Sequence, residues 1–220
     1  MRVVLILLRR DLARMLGGAG RGATLLPVLF FLAVAMLYPF AVGPAPEILR
    51  RTGGGVVWVA ALLASILPLD RLLATDVERG TFDQLALRGI AEELVVAVRL
   101  LAHWLSFGPP LMLAALPAAA LLGLDGATLR TLVLGLLAGT PGLAAVGLMI
   151  ASLTVGLRGG GAALSGLLLI PLALPLLVFG AGALAAGGTG GIALTAAISL
   201  VLVAITPFVG GMAIRAGREG

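Results

Sequence analysis

Cysteine and lysine are absent from this 220-residue sequence, and histidine and tyrosine occur once each. Without cysteine there is no disulfide and no thiol nucleophile. With a single imidazole there is also no His/Cys cage, so no metal site is expected in the chain. Without lysine there is no ordinary Walker A loop, whose lysine reaches the β- and γ-phosphates of a nucleotide, and no Schiff-base chemistry. Charge is scarce as well: 11% of residues are charged and 60% are hydrophobic, against about 25% and about 45–50% in soluble domains. Those proportions exclude a soluble enzyme, a secreted disulfide scaffold and a disordered chain. All 15 basic residues are arginine, and their excess gives a net charge of +5. They lie between apolar runs, so they are topology signals rather than a nucleic-acid surface, and no nucleic-acid partner is expected.

Five runs contain no Asp, Glu, Arg or Lys: residues 22–46, 52–69, 100–124, 131–157 and 159–214. About 20 apolar residues cross a hydrocarbon core of roughly 30 Å, so each run spans a membrane or nearly does. The last run has 56 residues, about 84 Å of helix. It must fold back, and Gly187-Gly188-Thr189-Gly190-Gly191 is the expected place. The predicted architecture is an all-α membrane protein, a single transmembrane domain over residues 1–220, with six spans near 23–42, 54–72, 95–122, 128–156, 161–184 and 191–213. An even number of spans puts both termini on one side. Twelve arginines lie on that side and three, Arg50, Arg51 and Arg130, on the other; this positive-inside bias expects both termini in the cytoplasm.

Residues 1–21 precede the first span. Val3–Leu8 is only six residues long before Arg9-Arg10-Asp11, short of the roughly 7–15 apolar residues of a cleavable signal peptide, so none is expected. On a helix, Leu5, Leu8, Leu12, Met15 and Leu16 share an arc of roughly 100°, and Arg2, Arg9, Arg10 and Arg14 occupy another. That predicts an amphipathic helix in the inner bilayer interface with its arginines among anionic headgroups; the alternative is a plain charged tail. Gly17-Gly18-Ala19-Gly20 is the expected elbow into the first span.

The remaining loops are short except residues 70–93, on the inner side. This segment carries six of the ten acidic residues: Asp70, Asp76, Glu78, Asp83, Glu92 and Glu93. A long charged loop is where a soluble partner docks. Proton- and ion-coupled transporters keep ionisable chains inside the membrane, whereas here no acid lies inside a span: Asp70 ends the second and Asp125 sits in an outer turn. Sodium binding through carbonyls at broken helices stays open. The energy for any work is therefore expected to come from another chain. Within the loop, Asp76-Val77-Glu78-Arg79-Gly80-Thr81-Phe82-Asp83-Gln84-Leu85 predicts a turn at Gly80 and then a short helix. Thr81 is its expected N-cap, with Asp83 and Gln84 in the first turn. Phe82 and Leu85, three apart, form one face, either to enter a partner's groove or to tuck against the membrane as an amphipathic turn.

The run Glu78-x-Gly80-Thr81-x-Asp83-x-Leu85 resembles the acidic-Gly-Thr-x-acidic-x-Leu pattern after the second span of type-2 ABC exporter (ABC-2) membrane subunits. Further segments are similar to the CcmB family of the cytochrome c maturation system, the haem exporter B proteins. They are Leu29-Phe30-Phe31-Leu32, Tyr38-Pro39-Phe40-Ala41-Val42-Gly43-Pro44, Trp58-Val59-Ala60-Ala61-Leu62-Leu63-Ala64-Ser65, Leu101-Ala102-His103-Trp104-Leu105 with Gly108 and Pro110-Leu111, Gly139-Thr140-Pro141, and Pro171-Leu172 with Pro175 leading to Phe179-Gly180-Ala181-Gly182-Ala183. The resemblance implies the ABC-2 transmembrane fold and a non-catalytic subunit in the bacterial inner membrane. It implies a coupling loop over 73–93, in which Asp76, Glu78, Arg79, Gly80, Thr81, Phe82, Asp83 and Leu85 meet an ATPase subunit of the CcmA type. Further implied partners are the membrane proteins CcmC and CcmD and the haem chaperone CcmE, whose haem-loaded form the complex releases. ATP and magnesium would sit in the partner subunit, haem would be cargo of the complex, and this chain would hold no cofactor. Six spans are half of a usual ABC membrane unit, so a homodimer is expected.

Arg99, His103 and Trp104 are the candidate functional residues inside the membrane. His103 is the one imidazole, about 12 Å into the third span. It is either an axial ligand for haem iron or a hydrogen-bonding packing residue, with Arg99 snorkelling to headgroups or pairing with Glu92 or Glu93. The prolines within spans are either movable kinks or static bends. Four GxxxG pairs occur, no more than the roughly four to five that 32 glycines in 220 positions give by chance, so no helix interface is assigned to Gly135 and Gly139. The competing functions are an ABC-2 exporter of lipid, glycan or drug, and an autonomous channel or carrier. A channel wants a polar pore stripe, and the spans hold only scattered Ser and Thr.

Overall fold

Proline and glycine divide the apolar chain into helices. The computed structural model describes residues 2–16, 21–43, 45–154, 161–185 and 188–219. Among them the elements are α1 (Arg2–Leu16), α2 (Arg21–Val42), α3 (Pro46–Ile66), α4 (Leu69–Glu78), α5 (Thr81–Leu87), α6 (Glu92–Leu121), α7 (Gly126–Thr154), α8 (Gly161–Ala185) and α9 (Thr189–Glu219), with no strand. The expected elbow at 17–20 and part of the fold-back cluster, Gly187, lie outside the described residues.

Five of these helices, α2, α6, α7, α8 and α9, are long and apolar enough to cross a membrane. The chain is a multi-pass helical membrane protein. The segment expected as the second span differs from its prediction. It begins at Pro46, eight residues before 54, because proline at the first helical position has no N–H to leave unsatisfied. It ends at Ile66, because Pro68 lacks a donor and clashes with the carbonyl four residues back. The charges Glu47, Arg50 and Arg51 occupy its first turns, leaving Thr52–Ile66 charge-free, about 22 Å of helix.

Helix α7 is the centre of the bundle. Residues 142–150 are all buried, and the helix packs against α9, α8, α6 and α3. Small residues along it let neighbours approach, and hydroxyls and an indole fix the register. Trp104 Nε1 donates to Thr140 Oγ1 at 3.0 Å from α6, and Thr206 Oγ1 donates to the Ala145 carbonyl at 3.2 Å from α9. Such interhelical bonds contribute about 0.6 kcal/mol each in membrane proteins.

The largest side chain in the core, Trp58 of α3, lies in a cradle of glycines. A Cβ at Gly180 of α8 would fall 2.3 Å from its indole, and one at Gly139 or Gly135 of α7 would fall 2.6 or 3.2 Å away. Gly135 and Gly139 thus do form an interface, contrary to the sequence expectation. Their spacing serves a ring wedged between helices rather than a close backbone crossing, and spacing statistics carry no information about that.

The bundle has two chemically different ends. One gathers α1, α4, α5, the start of α6 and the end of α9. The other holds the α2–α3, α6–α7 and α8–α9 turns. There α6 stops at Gly123 (φ +63°) and Leu124 N–H reaches back to the Ala119 carbonyl at 2.9 Å. Asp125 then caps α7, accepting from the Thr128 backbone N–H at 2.7 Å. Hydrogen bonds from Thr128 hold its carboxyl below the ordinary value.

Candidate functional site

At the end that holds both chain termini, an apolar chain with few charges buries several of them together. Helix α1 presents Arg10, Asp11 and Arg14, α4 presents Asp76, and α6 presents Arg99. Asp11 is 1%, Asp76 2% and Arg99 5% exposed. Arg99 Nε donates to Asp11 Oδ2 at 2.7 Å and its Nη2 to Asp11 Oδ1 at 3.3 Å. The same guanidinium donates to Asp76 Oδ2 and to the Leu72 carbonyl of α4. Arg14 binds the other Asp76 oxygen, and Arg10 Nη2 lies 2.9 Å from Asp11 and 3.5 Å from Asp76. A planar fork with five donors bridges two carboxylates and a carbonyl on separate helices; an ammonium would not. Burial by itself raises the Asp76 carboxyl. The charge of Arg99 and the hydrogen bonds from Arg14 and Arg99 outweigh it and hold the group at about 2, below its ordinary 3.8.

Two sequence expectations for these residues change. Asp76, expected to meet a partner in the coupling loop, is buried as the anchor of α4. Arg99 pairs with neither Glu92 nor Glu93. Glu92 lies nearly two turns, about 10 Å, back along α6, and both glutamates are taken by α9. Arg215 bonds Glu93 and lies 3.3 Å from Glu92, and Arg218 lies 2.6 Å from Glu92. Leu7 and Asp11 of α1 are buried, which brings Asp11 to Arg99, while Leu5 of the arc expected to face the bilayer is 67% exposed.

The loop following α4 is helical. Gly80, at φ +61°, turns the chain from α4 into α5 and is itself the N-cap. Its N–H reaches the Val77 carbonyl and its carbonyl accepts from Gln84 at 3.2 Å. Thr81 is therefore the first helical residue and makes no cap, a further departure, since the Gly80 carbonyl already supplies the acceptor. Phe82 is buried in the hydrophobic core and Leu85 packs against it. Phe82 is thus enclosed, while Leu85 stays partly exposed. The outer face carries Asp83, Gln84, Leu87 and Arg88, with Leu87 89% exposed. Glu78 and Arg79 are exposed at the preceding turn. Arg218 of α9 reaches Asp83 at 3.0 Å, so α5 is tied to α9 as well.

The three candidates within the membrane fall into separate places. Arg99 belongs to the charge cluster. His103, one turn deeper on α6, is 1% exposed, its ring 4.9 Å from that of Phe107, and its Nε2 has no hydrogen-bond partner among the described residues. Trp104 faces α7 through Thr140 and packs over Gly108, where a Cβ would lie 2.8 Å from Nε1.

A family model described as CcmB protein matches residues 2–217, a stretch that includes the charge cluster, both loop helices and His103. The chain belongs to the CcmB family. It is similar to proteins named heme exporter protein B: 46% identical over 143 residues to that of Rhodobacter capsulatus, 47% over 137 to that of Bradyrhizobium diazoefficiens, and 46% over 138 to that of Paracoccus denitrificans. These alignments cover 64%, 62% and 63% of this chain and 63%, 61% and 62% of the relatives' own lengths. The chain thus spans less than two thirds of those relatives in direct alignment.

Within this family member, reading the sequence missed Asp11 as a partner for Arg99 and Leu87 as the exposed apolar residue of α5. A signal for the first was present. Asp11 lies one turn from Leu7, on the same side of a helix otherwise basic and apolar, and a lone acid there wants a buried cation. No comparable signal distinguished Leu87 from Phe82 or Leu85.

Proposed function

We propose that this chain is the membrane subunit of an ATP-driven complex for cytochrome c maturation, and that it receives the motion of a separate ATPase subunit through α4 and α5. The observation that carries this is the asymmetry of α5. Its inner face is seated by Phe82 in the core and, through α4, by the Asp76–Arg99–Asp11 bridge, while Asp83 on the exposed side is tied to Arg218. Its outer face offers Leu87 and Arg88 to solvent. A push on that face reaches α1, α6 and α9 together, because buried ion pairs resist separation far more than exposed ones do. Membership of the CcmB family and likeness to proteins named heme exporter protein B support the cargo class.

In the finer reading, α3 crosses the membrane as the second of six spans of an ABC-2 fold, its arginines reaching the outer headgroups. The spans over 23–42, 54–72, 95–122, 128–156, 161–184 and 191–213 form one domain, with 1–21 at the interface and 73–93 as the coupling segment. Both termini lie in the cytoplasm, the membrane is the bacterial inner membrane, and two copies pair. The ATPase is of the CcmA type and carries ATP and magnesium. CcmC, CcmD and the chaperone CcmE complete the system, and haem is its cargo. The chain itself catalyses nothing. His103 acts in packing: it is enclosed by its helix and Phe107, so iron would reach Nε2 only if α6 moved.

The test is Leu87→Asp in a bacterium that depends on this chain for c-type cytochromes. The ATPase subunit is expected to be lost from the purified complex and cytochrome maturation to fail, with membrane levels of the variant unchanged. Unaltered ATPase recovery and maturation would overturn the coupling role of α5.

A further inference from the structure

The opposite end of the bundle holds a cavity of about 950 Å³ between α2, α3 and α8. Its wall is divided by chemistry. Arg50, Arg51, Thr52 and Tyr38 line the part nearest the start of α3, while Val59 and Leu177 are among the apolar residues that line the rest. No acidic residue is among the described lining residues. Arg50 is shared with Glu47, an exposed pair at 3.3 Å, whereas Arg51 makes no ion pair among the described residues. Tyr38 and Thr52 are joined by a 2.8 Å hydrogen bond across the α2–α3 junction, which holds the polar rim in place.

We propose that this cavity is a binding site for one anionic phospholipid, its phosphate on Arg50 and Arg51 and an acyl chain against α3 and α8. Three features point the same way. The arginines stand at the end of a helix in a multi-pass membrane protein, at the depth of headgroups if the apolar wall lies in hydrocarbon. Basic pockets between membrane helices take anionic headgroups, and each arginine near the surface contributes about 1 kcal/mol to that attraction. The wall below them is apolar, so a free phosphate would use only the rim, and a neutral lipid would leave Arg51 without a counter-charge.

Gly55 gives the site a test that leaves the fold alone. It lines the cavity, and a Cβ built on it meets nothing within 4 Å. Its neighbour Gly54 is different, since a Cβ there would fall 2.5 Å from Leu184. Leucine at 55 would therefore start into open space at the cavity wall and take up part of the room that an acyl chain needs.

The experiment is native mass spectrometry of the full chain in neutral detergent, titrated with phosphatidylglycerol, with phosphatidylcholine of the same acyl chains, or with inorganic phosphate alone. One phosphatidylglycerol is expected to be retained in preference to phosphatidylcholine. Arg51→Gln is expected to weaken retention about fivefold, and Arg50→Gln similarly. Gly55→Leu is expected to weaken retention while the melting temperature without lipid stays unchanged. Equal retention of the two lipids, phosphatidylglycerol retention unaffected by Arg51→Gln, or a response to phosphate alone that matches the lipid and survives Gly55→Leu would each overturn the proposal. None of these readouts involves cytochrome maturation or an ATPase, so the outcome is independent of the function proposed above.

Discussion

The two ways this bundle joins its helices make an instructive contrast. At the end bearing both chain termini, α1, α4 and α6 meet through five charged side chains, three of them almost wholly buried. Nearer the middle, α3, α7 and α8 meet through one indole set among glycines. The first junction is directional and strong only while complete. The second depends on shape: it has no charge to satisfy, but it tolerates no added atom. Under the function proposed above, the first kind would serve where force enters and the second where helices must keep their spacing.

Removing the central cation breaks the contrast most severely. Arg99→Ala leaves Asp11 and Asp76 buried with only Arg10 and Arg14 nearby, and the expected loss is about 3–5 kcal/mol, read as a large fall in melting temperature in detergent. Replacing the three buried groups together by apolar residues (Asp11→Leu, Asp76→Leu, Arg99→Met) is expected to recover much of that stability, since an apolar substitute carries no desolvation cost. ATP-driven maturation should nevertheless stay defective if the bridge transmits motion.

Acid attacks the same junction more gently. Asp76 has a carboxyl held at about 2 against an ordinary 3.8, so in the folded chain it binds its proton less readily than in the unfolded one. Its stabilising contribution is complete above about pH 4 and fades as the pH falls towards 2. Asp76→Asn should lack that acid-dependent part in a melting series over this range.

The shape-based junction is expected to respond next. Gly180→Val places atoms inside the Trp58 ring and should cost about 1–3 kcal/mol, whereas Gly182→Ala, where a Cβ meets nothing within 4 Å, should be silent. The smallest effect is Thr140→Val, which removes the partner of Trp104 and should cost about 0.6 kcal/mol. If Gly180→Val proved harmless and Thr140→Val severe, the middle of the bundle would be held by hydrogen bonding rather than by fit.

Much of the fold was legible because its signals are local. Gly80 turns α4 into α5, and long charge-free runs become helices suited to lipid, whereas the break at Pro68 was read through as part of a span ending at 72. The site was legible in part. Residues 76–85 were singled out by their pattern, but which of them point outward was not, because Phe82, Leu85 and Leu87 are interchangeable on grounds of composition. Arg99 was singled out as an ionisable group in a membrane helix. Its partners were misassigned to neighbours in the chain, when Asp11 lies 88 positions away.

From the sequence alone came the membrane class, the helical architecture and the family resemblance. Each follows from how single residues or short runs partition between water, lipid and backbone conformations. Only the tertiary structure decided that Asp11 completes the Arg99 bridge, that Gly135, Gly139 and Gly180 make room for Trp58, and that Leu87 is the exposed face of α5. Those are matters of which distant groups share one small volume, and that depends on how all the helices settle against each other.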